Sequence, residues 1–201
     1  MGSDAETLNG HSVVLRVDYG TCRILLTGDL NSRSQKLLLS YQPAEEFTSD
    51  VAKACHHGAE DVDLAFVRAM QPKATVISSG DNEDYAHPRP VLMGAAGRYG
   101  REATDPDGDT LPPLIYSTEL ARSVKLGYAS SVRVKDTDEV EKPAGFDVAA
   151  SATEPAYRPL DETPLSTDLV YGLVNVRTDG EHLLCATMEE KGNDFDVKVF
   201  R

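Results

Sequence analysis

Apolar and polar residues alternate from Ser12 to Asp18 (SVVLRVD), whereas Thr21 to Leu26 (TCRILL) is an apolar run, with Tyr19-Gly20 between them. Alternation suits a strand with one wet face, and a continuous run suits a strand covered on both. The pair therefore predicts a β-hairpin whose second strand is central. After Thr27-Gly28-Asp29, the spacing of Leu37, Leu38 and Tyr41 predicts a helix over 33–41. Asp50 to Cys55 reads as a short strand closed by His56-His57-Gly58. Leu64, Phe66, Val67 and Met70 share a short helix over 63–70 that Pro72 ends, and Ala74 to Ser78 (ATVIS) reads as a buried strand. A polar loop over 80–87 leads to Pro88 and Pro90, and a proline-marked helix is expected over 91–99. Strand, helix and strand in succession make an α/β grammar.

Downstream the pattern changes. Residues 101–113 are rich in Gly, Pro and Asp and read as loop, and Leu114 to Ser117 reads as one more strand. Lys135 to Thr167 is charged, rich in Pro and Thr and poor in aliphatics, which suits a long excursion or a mobile segment. Leu169 to Arg177 (LVYGLVNVR), Thr178-Asp179-Gly180 and His182 to Met188 (HLLCATM) form the clearest hairpin, with Phe195 to Phe200 as a third antiparallel strand. The expected organisation is an α/β unit over 1–130, a long loop or mobile excursion over 131–167, and a three-stranded antiparallel element over 168–201 packed on the same domain.

Composition narrows the partners. The chain has 201 residues, 40% hydrophobic and 26% charged, enough for one ordinary packed domain. With 20 Lys plus Arg against 33 Asp plus Glu, the formal charge of -13 argues against nucleic-acid binding through a basic surface. No apolar run approaches the roughly 20 residues that span a bilayer, and the first ten residues lack the order of a signal peptide, so no membrane contact and a cytoplasmic location are expected. Cys22, Cys55 and Cys185 are odd in number and far apart, as reduced thiols would be.

The chemistry is concentrated at strand ends. Asp29 follows RILLTG, His56 and His57 follow VAKAC, and His87 follows ATVISSGDNEDYA. Three apolar strands thus each deliver a ligand-type side chain at the C-terminal edge, where α/β sheets form their sites. A carboxylate and imidazoles converging there are costly to desolvate unless a cation neutralises them, which suggests zinc, manganese or iron. Each residue also has a plainer reading: Gly-Asp as a helix N-cap, His-His-Gly as a turn, His87 as a helix-start residue before Pro88, and Cys55 as a small buried strand residue. His11 and His182 read as surface or packing residues. Asp105 to Asp109 (DPDGD) misses the spacing of a calcium loop and reads as a solvated acidic turn.

Taken together, Asn9 and Ser12 with VVLRVDYG, then RILLTGD, DVAKACHHG and FVRAMQPKATVISSGDNEDYAHP, resemble the second half of metallo-β-lactamase-fold hydrolases of the ComEC competence type, over roughly residues 8 to 100. The resemblance implies a four-layer αββα sandwich of two similar halves. It also implies a two-metal site between the halves, usually zinc or manganese, and phosphodiester or other ester substrates. On that resemblance Asp29 would bridge two metals, and His57, or less favourably His56, would complete one coordination sphere. His56 and His87 would stand near the substrate for phosphate contact or proton transfer.

The departure from the family is large. Its first-half signature, His-x-His-x-Asp-His, is absent: the histidines are His11, His56, His57, His87 and His182, and no two have that spacing. One carboxylate and two or three imidazoles could hold a single weak metal site but not two ions, each of which needs about four donors. The expected fold class is therefore α/β (α+β), half of a metallo-β-lactamase-type αββα sandwich with an additional C-terminal antiparallel hairpin. The expected function is part of a metal-dependent hydrolase of phosphodiesters or other esters using a metal-activated water. It would be inactive alone and completed by a missing N-terminal half or a complementary chain. The alternative is a non-catalytic module of the same fold that binds or scaffolds. The sheet edge left open in either case invites pairing with a second copy.

Overall fold

The computed structural model describes residues 8–80, 87–119, 172–188 and 195–201, and the backbone of four short strands between 131 and 158. The chain forms two compact units, Met1–Ser123 with Val170–Arg201, and Val124–Leu169.

In the first unit, β1 (Leu15–Tyr19) and β2 (Cys22–Leu26) make the antiparallel hairpin. Gly20 turns it at φ 60°, a conformation that a II′ turn needs at its first central position. There follow α1 (Ser32–Tyr41), β3 (Val51–Lys53), α2 (Leu64–Met70), β4 (Ala74–Ile77), α3 (Pro90–Tyr99), β5 (Ala103–Thr104), β6 (Thr110–Leu111) and β7 (Leu114–Ser117). Strands β2, β3, β4 and β7 run parallel, giving one sheet in the order β1-β2-β3-β4-β7. Each helix begins on a local device. The Asn31 carboxamide accepts from Ser34 N at 3.0 Å, the Asp63 carboxylate accepts from Phe66 N at 3.0 Å, and Pro90 opens α3. The stretch 101–113, expected as loop, contains the small ladder β5–β6. Asp105 accepts N–H bonds from Asp107 and Asp109 there, so the acidic turn closes tightly enough for two residues on each side to pair.

Successive strand residues point to opposite faces, and the two faces have different covers. Leu25 and Ala52 face the helices, with Phe66, Val67 and Met70 of α2, Phe47 and Ala95. Ile77, Ala54 and Leu92 continue that side toward α3.

In the unit Val124–Leu169, β8 (Ser131–Arg133) pairs with β9 (Glu139–Glu141), and β10 (Phe146–Val148) with β11 (Ala156–Arg158), all antiparallel. The expected long loop at 131–167 therefore contains four short strands, and the rest of that stretch lies outside the described residues.

The C-terminal hairpin appears as β12 (Val174–Thr178), β13 (Leu183–Met188) and β14 (Phe195–Phe200), an antiparallel sheet in that order. Its first strand begins at Val174 and not at Leu169; Gly172 and Leu173 precede it outside the ladder, and 169–171 lie outside the described residues. Leu183, Cys185 and Phe200 pack on Cys22, Val51, Ala74 and Tyr116, the face of the large sheet opposite the helices. The turn at Gly180 meets the turn at Gly20: Thr21 donates to Gly180 O from its backbone N at 2.7 Å and from Oγ1 at 3.1 Å. The fold is mixed α/β, with helices on one face of a parallel/antiparallel sheet and a second antiparallel sheet on the other. All three cysteines are free and buried. No helix among the described residues is long and apolar enough to cross a membrane.

The β12–β13 turn carries a pH signature. Asp179 accepts backbone N–H bonds from His182 and Glu181, and these lower its carboxyl from the ordinary 3.8 to about 2. A depressed carboxyl contributes stability that is complete above the unfolded value and lost as pH falls through the folded one, here the window from 3.8 down to about 2. A carboxyl carbon titration by NMR should find the Asp179 midpoint at the low end; a midpoint at the ordinary value would contradict this turn geometry.

Candidate active site

The C-terminal ends of β2 and β3 are tied together before any charged group is placed. Thr27, fully buried, donates from Oγ1 to Lys53 O at 2.8 Å, and Gly28 O accepts from His56 N at 3.1 Å. Gly28 sits at φ 57° against Ser12, whose hydroxyl accepts from Asp29 N at 3.0 Å. Asp29 is thereby held at the mouth of the sheet, its side chain 38% exposed.

Ala54 leads into a short 3₁₀ turn, Cys55–Gly58, in which both histidines take left-handed backbone angles, His56 at φ 46°, ψ 52° and His57 at φ 54°, ψ 19°. Side-chain-bearing residues pay on the order of 1–3 kcal/mol each for such conformations, which persist where surrounding contacts impose them. The turn sends the two rings to different partners. His57 Nδ1 lies 2.5 Å from Ser78 O, and because a carbonyl only accepts, that nitrogen carries the proton. Its Nε2 then faces Asp29 Oδ1 at 3.3 Å. His56 Nε2 instead lies 3.1 Å from Asn9 Nδ2, an amide donor, so its proton sits on Nδ1, which is buried without a hydrogen-bond partner among the described residues.

His87 reaches the cluster from the other side. Gly58, at φ 86°, lets Pro88 pack directly over it, and Arg89 N donates to Gly58 O at 2.8 Å. The His87 ring then meets His56 edge-on, with centroids 5.9 Å apart, while the His56 and His57 rings are 6.3 Å apart. Burial first, then repulsion from Arg89 and from His56 whenever that ring is protonated, push the His87 imidazole below its ordinary value, which favours its neutral form.

Lys53 completes the cluster. Its Nζ donates to Gly28 O at 2.9 Å and Ala54 O at 3.1 Å, and stands 3.9 Å from Asp29 Oδ1. Burial lowers its pKa, an effect partly offset by Asp29. Sequence reasoning assigned no role to Lys53 or to Asn9. The available signal was a lysine inside a buried strand run, VAKAC, where a cation is tolerated only with partners. Cys55 is buried beside them, and burial pushes its thiol up to about 11, so it is a protonated packing residue at neutral pH. His11 is exposed, and His182 lies at the β12–β13 turn beside Asp179 at 3.3 Å.

The structure thus brings Asp29, His56, His57 and His87 to one sheet edge with Lys53. The Asp29–His57 pair is chemically selective. With the imidazole neutral, two electron-pair donors face each other at 3.3 Å, which is stable only if a proton or a cation lies between them. Adjacent donors of a tetrahedral ion with bonds of about 2.0 Å are themselves about 3.3 Å apart, and a ligating histidine commonly gives its other N–H to a backbone carbonyl, as His57 does. The pair therefore fits two neighbouring positions of a divalent shell. Among the described residues, no group of three His, Cys, Asp or Glu is arranged to hold a metal ion.

Comparison with known proteins gives a partial match. No protein-family model matches the chain, and no solved structure matches it. The chain is similar to ComE operon protein 3 of Bacillus subtilis (strain 168), 32% identical over 91 residues that are 45% of this chain and 12% of that protein. It is also similar to competence protein ComA of Neisseria gonorrhoeae, 32% identical over 93 residues, 46% of this chain and 13% of that protein. The similarity links the chain to competence proteins, and the matched segment spans about an eighth of the length of these two relatives.

Proposed function

We propose that this chain carries the second-half portion of a metallo-β-lactamase-type hydrolase site, acting on phosphodiesters or other esters once further metal donors are supplied by an N-terminal half or a complementary chain. The observation that carries the reading is the Asp29–His57 pair, two donor atoms 3.3 Å apart with the imidazole oriented by Ser78 O. Asp29 and His57 would hold a divalent cation, zinc or manganese by preference. When bound, it would supply Lewis-acid polarisation and a water whose pKa falls toward about 7.

The chain's own residues do the rest. Ser12 and Gly28 fix the backbone at Asp29, and Ser78 O accepts from His57 Nδ1 and so turns Nε2 toward Asp29. Lys53 sets a fixed positive charge at the mouth of a chain with net charge -13, which favours an anionic substrate where the general field would repel it. The T-shaped pair of His56 and His87 stands beside that position, and the lowered pKa of His87 favours the neutral form that accepts a hydrogen bond or proton.

One observation favours a second reading, a non-catalytic binding module. Lys53, Asp29 and His57, if the imidazole is charged, form a self-contained ion cluster that needs no metal. Equilibrium dialysis against zinc and manganese separates the two. The hydrolase reading expects metal retained by the native chain and binding at least about tenfold weaker in Asp29→Ala, with Asp179→Ala as an unaffected control. Equal metal content in the native chain and Asp29→Ala would leave the module reading standing.

A further inference from the structure

Strand β1 is an edge of the five-stranded sheet, pairs with β2 alone among the described residues, and has every residue exposed. Its side chains are sorted by face. Leu15, Val17 and Tyr19 are 53%, 46% and 58% exposed on one side, continued by Leu26 opposite Leu15, and Arg16 and Asp18 lie on the other. A long edge strand with an apolar face is a template for pairing with another chain.

We propose that β1 docks a second copy of this chain by antiparallel edge-to-edge pairing about a two-fold axis at Val17, fusing two sheets into one. This inference does not depend on the hydrolase reading. The hairpin closes through Gly20-Thr21 on the pair Tyr19 and Cys22. A closing pair of this kind exchanges both hydrogen bonds, so alternation turns the free backbone groups of Arg16 and Asp18 outward. A second copy must set those groups opposite each other. Registers centred on Arg16 or on Asp18 place like charges face to face. The register centred on Val17 places Arg16 of each copy opposite Asp18 of the other, Leu15 opposite Tyr19, and Val17 opposite Val17, and so uses the whole strand. The contacts that Arg16 now makes, with Asp18 at 3.0 Å and with Glu46, are exposed ion pairs that exchange at little cost.

Cysteine scanning of the full chain tests the register, because Cys22, Cys55 and Cys185 are buried and do not interfere. In the proposed pairing the two Val17 residues face each other without hydrogen bonds, at a Cα separation of about 4.5 Å, inside the range of roughly 4.4–6.8 Å that a disulfide spans. Mild oxidation should cross-link Val17→Cys to itself. Leu15→Cys or Tyr19→Cys should not cross-link alone, but a mixture of the two should. Sedimentation equilibrium should find the native chain dimeric at up to about 100 µM and Arg16→Asp at least about tenfold weaker, with Arg16→Asp/Asp18→Arg restored. A monomeric native chain, a Val17→Cys variant that cross-links no faster than a Tyr41→Cys control, self-linking Leu15→Cys, or a double reversal that fails to restore the dimer would each overturn the proposal.

Discussion

Replacing Phe66 by alanine is expected to cost about 3–5 kcal/mol of folding stability, measured by urea unfolding with the slope unchanged. The side chain is wholly buried on α2, inside the cluster that joins this helix to Leu25 of β2 and Ala52 of β3. Its ring lies 5.0 Å from that of Phe47, tilted by 57°, a favourable aromatic arrangement that an alanine abolishes. The close packing of Leu25, Ala52, Val67 and Met70 in the same cluster leaves little room for the cavity to collapse. Leu64 on the same helix is 45% exposed, and Leu64→Ala is expected to fall within about 0.5 kcal/mol of the native chain. Equal effects at the two positions would mean that α2 does not present this face to the sheet.

Gly58→Ala is expected to cost about 2–5 kcal/mol, combining a left-handed backbone penalty with overpacking. Gly58 stands at φ 86°, and a Cβ there would come 2.8 Å from Pro88 Cβ and 3.0 Å from Ile77 Cγ2. Because Arg89 N is bonded to Gly58 O, the residue that yields is the start of α3, and His87 moves with it. The variant should therefore also lose the His56–His87 ring contact, read as a change in the His87 imidazole resonances by NMR. A stability change without any change at His87 would show that the histidine is positioned by something other than the Gly58–Pro88 contact.

The elements were largely legible. Period-two alternation at 12–18, the apolar runs of β2 and β4, and Pro90 at a helix start are local features, and each produced its element within one to three residues. The errors were local as well. The acidic turn at Asp105–Asp109 closes a small ladder through side-chain bonds that composition does not reveal. The C-terminal hairpin starts five residues later than its apolar pattern suggested, because that pattern runs through Gly172 and Leu173 outside the ladder. At the site, the sequence placed Asp29, the histidine pair and His87 after strands, and the resemblance preferred His57 to His56 as a ligand, but the residues themselves gave no geometric ground for that choice. That choice depends on two consecutive left-handed residues, a conformation with no compositional mark when neither is glycine. Lys53 was hidden for a related reason: one lysine in an apolar pentapeptide looks like an interruption until Gly28 O and Ala54 O are seen to satisfy it.

By itself the sequence determined which residues stand at the ends of which strands, because hydrophobic period and turn chemistry act over a few neighbouring positions. Only the tertiary structure decided that the second sheet covers the face opposite the helices, that Nε2 of His57 and not of His56 meets Asp29, and that the His87 ring meets that of His56. Those outcomes rest on contacts between segments distant in the chain, where packing and fixed hydrogen-bond directions select one arrangement among several that the local pattern allows equally.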